Sequence, residues 1–373
     1  MTKPLAPITF FDTYIDTYAK ERVGTVLASE RLSEGALVRE FEDALTLSLG
    51  LTNPIAVNSG TSALHLALIA AGVTVGDEVI LPAQTFIASG LTIVQQGATP
   101  VFADIDYLTG NINPDSIRSK ITPRTKAIMV VHWGGLPVDL AEIQTIADEH
   151  DLALIEDAAH AIGATYKNRP IGSISDFTCF SFQAIKHLTT GDGGAVASLG
   201  AEDANTIRTL RWFGIDRAKA MPSNLGERIY NLETIGFKYH LNDYAAALGL
   251  ANLPSLKERI EKRSAIAVRY REGLSSIPGL TLFEAPSNRS SSHWLFGFHV
   301  ERRHDFIKAL QVADIPTSVV HVGIDRNNIF GGGVREELVN QRKFDATQIH
   351  IPMHDRITPE IADYIIDIIK KGW

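Results

Sequence analysis

Lys186 stands in the run Phe180-Ser181-Phe182-Gln183-Ala184-Ile185-Lys186-His187, and Gly191-Asp192-Gly193-Gly194 follows closely. An apolar strand here runs into a polar, glycine-rich turn that presents one amine. Asp157 ends a second apolar run, Ala153-Leu154-Ile155-Glu156-Asp157, just ahead of Ala158-Ala159-His160. An amine and a carboxylate, each at a strand terminus, are what pyridoxal 5'-phosphate (PLP) chemistry needs. The amine forms a Schiff base with the cofactor aldehyde, and the carboxylate keeps the pyridine nitrogen protonated so that the ring acts as an electron sink. A charge-assisted hydrogen bond of that kind is worth about 1.5–3 kcal/mol.

A phosphate also needs a cradle. Asn58-Ser59-Gly60-Thr61-Ser62 joins a strand to a helix. Small residues such as Gly60 let the backbone approach an anion, while Thr61, Ser62 and the first helical amides donate to it. Taken alone the segment is a plain helix cap; beside Lys186 and Asp157 the phosphate reading prevails. Ser181, five residues before Lys186, is a second candidate phosphate ligand. Phe86, in Leu81-Pro82-Ala83-Gln84-Thr85-Phe86, is placed to stack on a flat ring, although a lone Phe ordinarily packs a core. His160 is placed to reach the phenolic oxygen of the cofactor, although a lone His is more often structural.

Elements that put these residues together are readable from periodicity. Phe41, Ala44, Leu45 and Leu49 share a helical face that Gly50 ends. Strands are predicted at 55–57, 78–81, 100–104, 127–132, 153–156, 176–182 and 195–198, and helices at 88–96, 114–120 and 140–150. Such alternation predicts an α/β fold, a mostly parallel sheet sandwiched by helices. Ligands of such sheets sit at the carboxyl ends of the strands, where Asp157 falls. One helical stretch is predicted from Asn242 to about Tyr270, strands near 293–301 and 316–320, and a last helix over 359–370. Residues 1–245 are expected to form the large domain, with an N-terminal helical segment, and 246–373 a smaller α+β domain.

The ordered set Ser59-Gly60-Thr61-Ser62-Ala63-Leu64, Thr85-Phe86, Glu156-Asp157-Ala158-Ala159-His160, Phe180-Ser181-Phe182, Lys186 and Gly191-Asp192-Gly193-Gly194 closely resembles the DegT/DnrJ/EryC1/StrS family. These are PLP-dependent nucleotide-sugar aminotransferases of the aspartate aminotransferase superfamily, fold type I. The resemblance covers nearly the whole chain, including Leu32 to Glu42, Gly236 to Asp243 and Ile349 to His354. It implies that Lys186 carries the cofactor and moves the proton, that Asp157 pairs with the pyridine nitrogen, and that His160 contacts the ring oxygen. Phe86 takes the stacking position, and Gly60, Thr61 and Ser181 the phosphate. Many members have Asn where this chain has Lys238, in a segment that reaches the neighbouring subunit's phosphate, so a homodimer with shared active sites is implied. The implied reaction moves an amino group from glutamate, through pyridoxamine phosphate, to a nucleotide-linked keto sugar of the 4-keto-6-deoxyhexose type. His132, Trp133, Arg217 and His321 are candidate substrate contacts.

Three alternatives stand beside this reading. Sugar dehydratases related to the family carry His in place of the lysine; Lys186 speaks against one, while adjacent His187 leaves the register to be checked. A nicotinamide oxidoreductase would need a Gly-x-Gly-x-x-Gly turn after an early strand, and Gly331-Gly332-Gly333 is too late. A member that keeps PLP only as a sensor is the third. Composition narrows the field further. The chain of 373 residues is 45% hydrophobic and 21% charged with a formal net charge of −8, which suits a soluble globular protein and not a nucleic-acid binder. Its apolar runs are too short to span a bilayer. Met1 to Phe11 lacks a signal-peptide pattern, and the single cysteine, Cys179, excludes an intrachain disulfide; both fit a cytoplasmic location. No Cys/His spacing suggests zinc.

Overall fold

Seven of the apolar runs pair into one sheet in a computed structural model that describes residues 6–216 and 221–373. Its strands are β1 (Ile55–Val57), β2 (Glu78–Pro82), β3 (Thr99–Ala103), β4 (Thr125–Val131), β5 (Ala153–Asp157), β6 (Phe177–Ser181) and β7 (Gly194–Ser198). The order across the sheet is β1-β7-β6-β5-β4-β2-β3. All neighbours are parallel except at β7, which runs antiparallel to both β1 and β6.

Alternation along the strands feeds two cores. Ile80, Ile128, Val130, Leu154 and Ala195 join one hydrophobic cluster, whereas Val79, Leu81, Met129, Ile155 and Val196 join another. Period-two geometry sends successive side chains to opposite faces, so a sheet covered on both sides reads as nearly continuous hydrophobic runs. Helix α3 (Gly60–Ala70), α4 (Ile87–Gln95) and α7 (Ala201–Leu210) cover one face; α2 (Ala36–Leu49), α6 (Leu140–Glu149) and α8 (Asp243–Asn252) cover the other. Gly50 ends α2 in the left-handed region, at φ 69°, as its type predicts.

A second sheet is antiparallel: β8 (Leu280–Leu282), β9 (Phe296–Val300) and β10 (Gln348–Ile351), in that order. Helices α9 (Leu256–Leu274), α10 (Arg303–Val312) and α12 (Pro359–Lys370) bury their apolar faces against it in a separate cluster. The chain then returns to the first sheet: Ile324, Phe330 and Leu338 pack on its α4 side, and the Ile324 amide donates to Ala83 O at 2.9 Å.

Two sequence expectations need correction. The helix predicted from Asn242 to Tyr270 is broken between Asn252 and Leu256, where Pro254 has no amide to donate. The strand predicted over 316–320 does not form. Only Ser318 bridges to His350, and Val320 sits at φ 59°. A β-branched residue at positive φ is a genuine outlier and cannot continue a ladder.

Candidate active site

Register brings Val131 and Asp157, which end β4 and β5, level with Cys179, two residues before the end of β6. All three line a cavity of about 480 Å³. Its wall also carries Gly60, Thr61, Phe86, His160, Ser181, Lys186 and His321, so residues spread over more than 260 positions of chain meet at one sheet edge.

Asp157 is buried and its two oxygens are held in place. Ser89 Oγ–H donates to Oδ2 at 2.8 Å, and the Ala159 amide donates to Oδ1 at 3.1 Å. Burial raises its pKa; the Ser89 and Ala159 hydrogen bonds and the charge of Lys186 offset only part of that. Lys186, half-buried, follows β6 on the turn that leads to β7, with its amide donating to Gln183 O at 2.9 Å. Burial pulls its amine down to about 7, against the attraction of Asp157. His160 is neutral: burial, then the charges of Lys186 and His321, push its ring well below its usual pKa. Its Nδ1 is buried with no hydrogen-bond partner among the described residues.

The turn at the start of α3 is built by close approach. A Cβ on Gly60 would lie 2.9 Å from Ser181 Cβ, and a Cβ on Gly194 would lie 2.6 Å from Phe180 O and 2.7 Å from Gly60 N. Only glycines let the start of α3 nest against the end of β6. Ser59 caps α3 by accepting from the Ser62 amide at 3.0 Å, and Ser62 Oγ–H turns back to Asn58 Oδ1 at 2.7 Å. Gly60 and Thr61 thus face the cavity, and Ser62 serves the cap and is not on the cavity wall.

Two aromatic residues that composition and spacing had not singled out complete the wall. Trp294, 2% exposed, stacks on His160 with centroids 3.7 Å apart and planes 15° apart. Phe11 stacks on Trp294 at 5.1 Å. Phe86 is 53% exposed and packs against His321 at 5.3 Å, at the mouth rather than the floor. The His321 backbone is pinned: its carbonyl accepts from Gln84 Nε2 at 3.1 Å and from Gln348 Nε2 at 2.9 Å.

Other sequence candidates lie elsewhere. His132 is fully buried behind the wall, with Nε2 2.7 Å from Glu156 Oε2 and Nδ1 accepting from the Val138 amide. Trp133 is buried behind His160 and His321 and touches both rings by its edge or at a tilt. Lys238 is exposed and away from this cavity; its backbone bridges to Trp212, and its carbonyl accepts from Asn58 Nδ2. Arg217 lies outside the described residues. His187, the residue on which a dehydratase register would depend, is buried and turned away, its Nε2–H donating to Ser292 O at 2.9 Å.

A half-buried lysine and a buried carboxylate on one cavity wall, a glycine-lined helix N-terminus and an imidazole nitrogen without a partner among the described residues fit PLP in size, charge and hydrogen-bonding capacity.

Known proteins agree with that chemistry. The sequence is 38% identical to the spore coat polysaccharide biosynthesis protein SpsC of Bacillus subtilis, over 94% of this chain and 93% of that protein. It is 40% identical to the GDP-perosamine synthase of Caulobacter vibrioides over 66% of this chain and 64% of that one. The crystal structure of the sugar aminotransferase CalS13 from Micromonospora echinospora superposes with a TM-score of 0.93 at 32% identity, covering 98% of this chain and all of that one. Solved relatives include PLP and pyridoxamine phosphate forms, and the family is PLP-dependent. The sequence model of the DegT/DnrJ/EryC1/StrS aminotransferase family matches residues 13–370, and this chain belongs to that family.

Proposed function

We propose that this chain transfers an amino group from glutamate to the keto carbon of a nucleotide-linked 4-keto-6-deoxyhexose, for amino-sugar and polysaccharide biosynthesis. The juxtaposition of Lys186 and Asp157 across one cavity carries the reading. Bound PLP supplies an electron sink for the bond being broken at the carbon that carries the amine.

Lys186 holds the cofactor and shuttles the proton. With its amine near 7, a large neutral fraction exists at neutral pH, and positioned proton transfer of this kind contributes about 10²–10⁴-fold. Asp157, aligned by Ser89 and Ala159, pairs with the pyridine nitrogen. Neutral His160 offers its free Nδ1 side to a hydrogen bond without adding charge. Gly60, Thr61 and Ser181 take the phosphate, and Phe86 and His321 flank the mouth through which the sugar enters. The relatives named for perosamine synthesis and spore-coat polysaccharide support the sugar class.

A second copy of the chain is part of this reading. Leu225, Ile229, Tyr230, Leu232 and Ile235 are all exposed in the segment leading to Lys238, an apolar surface of the kind that a partner covers. Light scattering of the purified protein should give a dimer mass, and a monomer would remove the shared-site element. The reaction itself is tested by mass spectrometry after incubation with glutamate and a panel of nucleotide-linked keto sugars. Amination of one sugar is the expected result. Borohydride reduction of the yellow protein should leave the label on the peptide containing Lys186; label elsewhere overturns the site.

A further inference from the structure

We infer that Ser292 and Trp294 form a strap that positions Lys186, with Trp294 the residue that fixes where the amine stands. The inference rests on the aminotransferase reading above. Three contacts converge on the lysine from this one short segment. Trp294 Nε1–H donates to Ile185 O at 3.1 Å, on the residue before the lysine. Ser292 O accepts from His187 Nε2–H at 2.9 Å, on the residue after it. Between the two, Lys186 Nζ lies 3.9 Å from the centre of the Trp294 ring. The amine is thus held by both chain neighbours and by an aromatic face that attracts its cationic form.

The same strap reaches the other side of the site. Ser292 Oγ–H donates to His160 O at 2.6 Å, and the indole lies flat on the His160 ring. Backbone bonds from Ser292 to Gly135 O and from Leu295 to Gly134 O fasten it at both ends. Gly135 sits at φ 99°, and a Cβ there would fall 2.5 Å from Ser292 Oγ and 2.9 Å from His160 O. Room for the strap is therefore made by a glycine in a conformation that other residues resist. Ser292 and Trp294 are almost wholly buried, so these contacts are not open to competition from bulk water.

Two variants separate the strap's parts. W294F keeps an aromatic face and loses the Nε1–H bond to Ile185; W294L loses both. The PLP-loaded proteins are compared by the pH midpoint of their visible absorption band and by kcat and KM for the amino donor. W294L should lower the midpoint by about half a pH unit, because the face no longer favours the cation. W294F should stay within about 0.2 of wild type by the same reasoning and yet lose about tenfold in kcat at unchanged KM, because the amine is no longer pinned. A wild-type midpoint in W294L together with wild-type kcat in both variants overturns the inference. Should W294L fail to fold by circular dichroism, kcat and KM of W294F decide alone. The broader reading fails separately: wild-type protein that takes up PLP without a lysine-linked absorption band refutes the site before any variant is made.

Discussion

Two charge clusters flank the Lys186-His187 segment in this molecule and are finished differently. In the cluster between α9 and the loop after β10, Asp355 accepts from Arg263 Nε at 2.8 Å and from Arg259 Nη1 at 3.1 Å. Arg259 also donates to the carbonyls of His187 and Asn252. Burial acts to raise the Asp355 pKa, but the two guanidinium groups hold it below the usual carboxylate range. At the cavity, Asp157 has two neutral donors and, among the described residues, no guanidinium, and burial wins. One carboxylate has all its partners within the chain. The other is left raised, facing a depressed amine and an imidazole with a free nitrogen. A complete ion cluster is scaffold; an incomplete one at a cavity marks where a ligand is expected to supply the missing partner.

Substitutions can break that contrast. K186A should fold and lower kcat by about 10³-fold or more, since the proposed function makes this one residue both anchor and proton carrier. Near-normal turnover in it would place the chemistry elsewhere. D355A should leave two arginines buried without their counter-charge and cost about 3 kcal/mol of stability, read by urea unfolding. Unchanged stability there would dissolve the distinction between the clusters. D157N should go the other way in the cofactor-free protein, with stability at pH 7 equal to or above wild type, because a raised carboxylate costs the fold energy when ionised. Its kcat should nevertheless fall about 10- to 100-fold with the loss of one charge-assisted hydrogen bond.

The depressed Asp355 contributes stability that is present above the unfolded carboxylate value and is lost as pH falls through its folded value. Asp157, being raised, costs stability at neutral pH, and that cost is relieved as pH falls through its folded value. In cofactor-free protein, pH-dependent acylation followed by peptide mass spectrometry should give Lys186 a midpoint of about 7, against about 10.4 for a solvated lysine. A midpoint near the solvated value would mean that the amine is not enclosed.

Most of the sheet was legible because its strands carry their own signal. Apolar runs bounded by turn residues place Asp157 at a strand end and Lys186 in the glycine-rich excursion five residues beyond the next strand, without any knowledge of the rest of the chain. The glycine turn before α3 was legible for the same reason, and Gly60, Thr61 and Ser181 do line the cavity, whereas Ser62 spends its hydroxyl on the helix cap. Trp294 and Phe11 were not, because each looks like any buried aromatic until distant segments are brought together. His132 was placed correctly at the end of its strand, but Glu156, one strand over, draws the ring inward. The segment over 316–320 has the composition of a strand, yet Val320 at φ 59° and the two amides pinning the His321 carbonyl hold it as a turn.

The antiparallel placement of β7 has a consequence for assembly. Because β6 and β7 pair directly, the excursion that carries Lys186 is a local hairpin, tied at its base by the Phe182 amide to Gly193 O at 2.8 Å. Local pairings close early, and a nascent chain emerges from its N-terminus first. The lysine hairpin is synthesised long before residues 292–294, so a vitamin-derived aldehyde meeting the nascent protein would find the amine present and the indole strap still unmade.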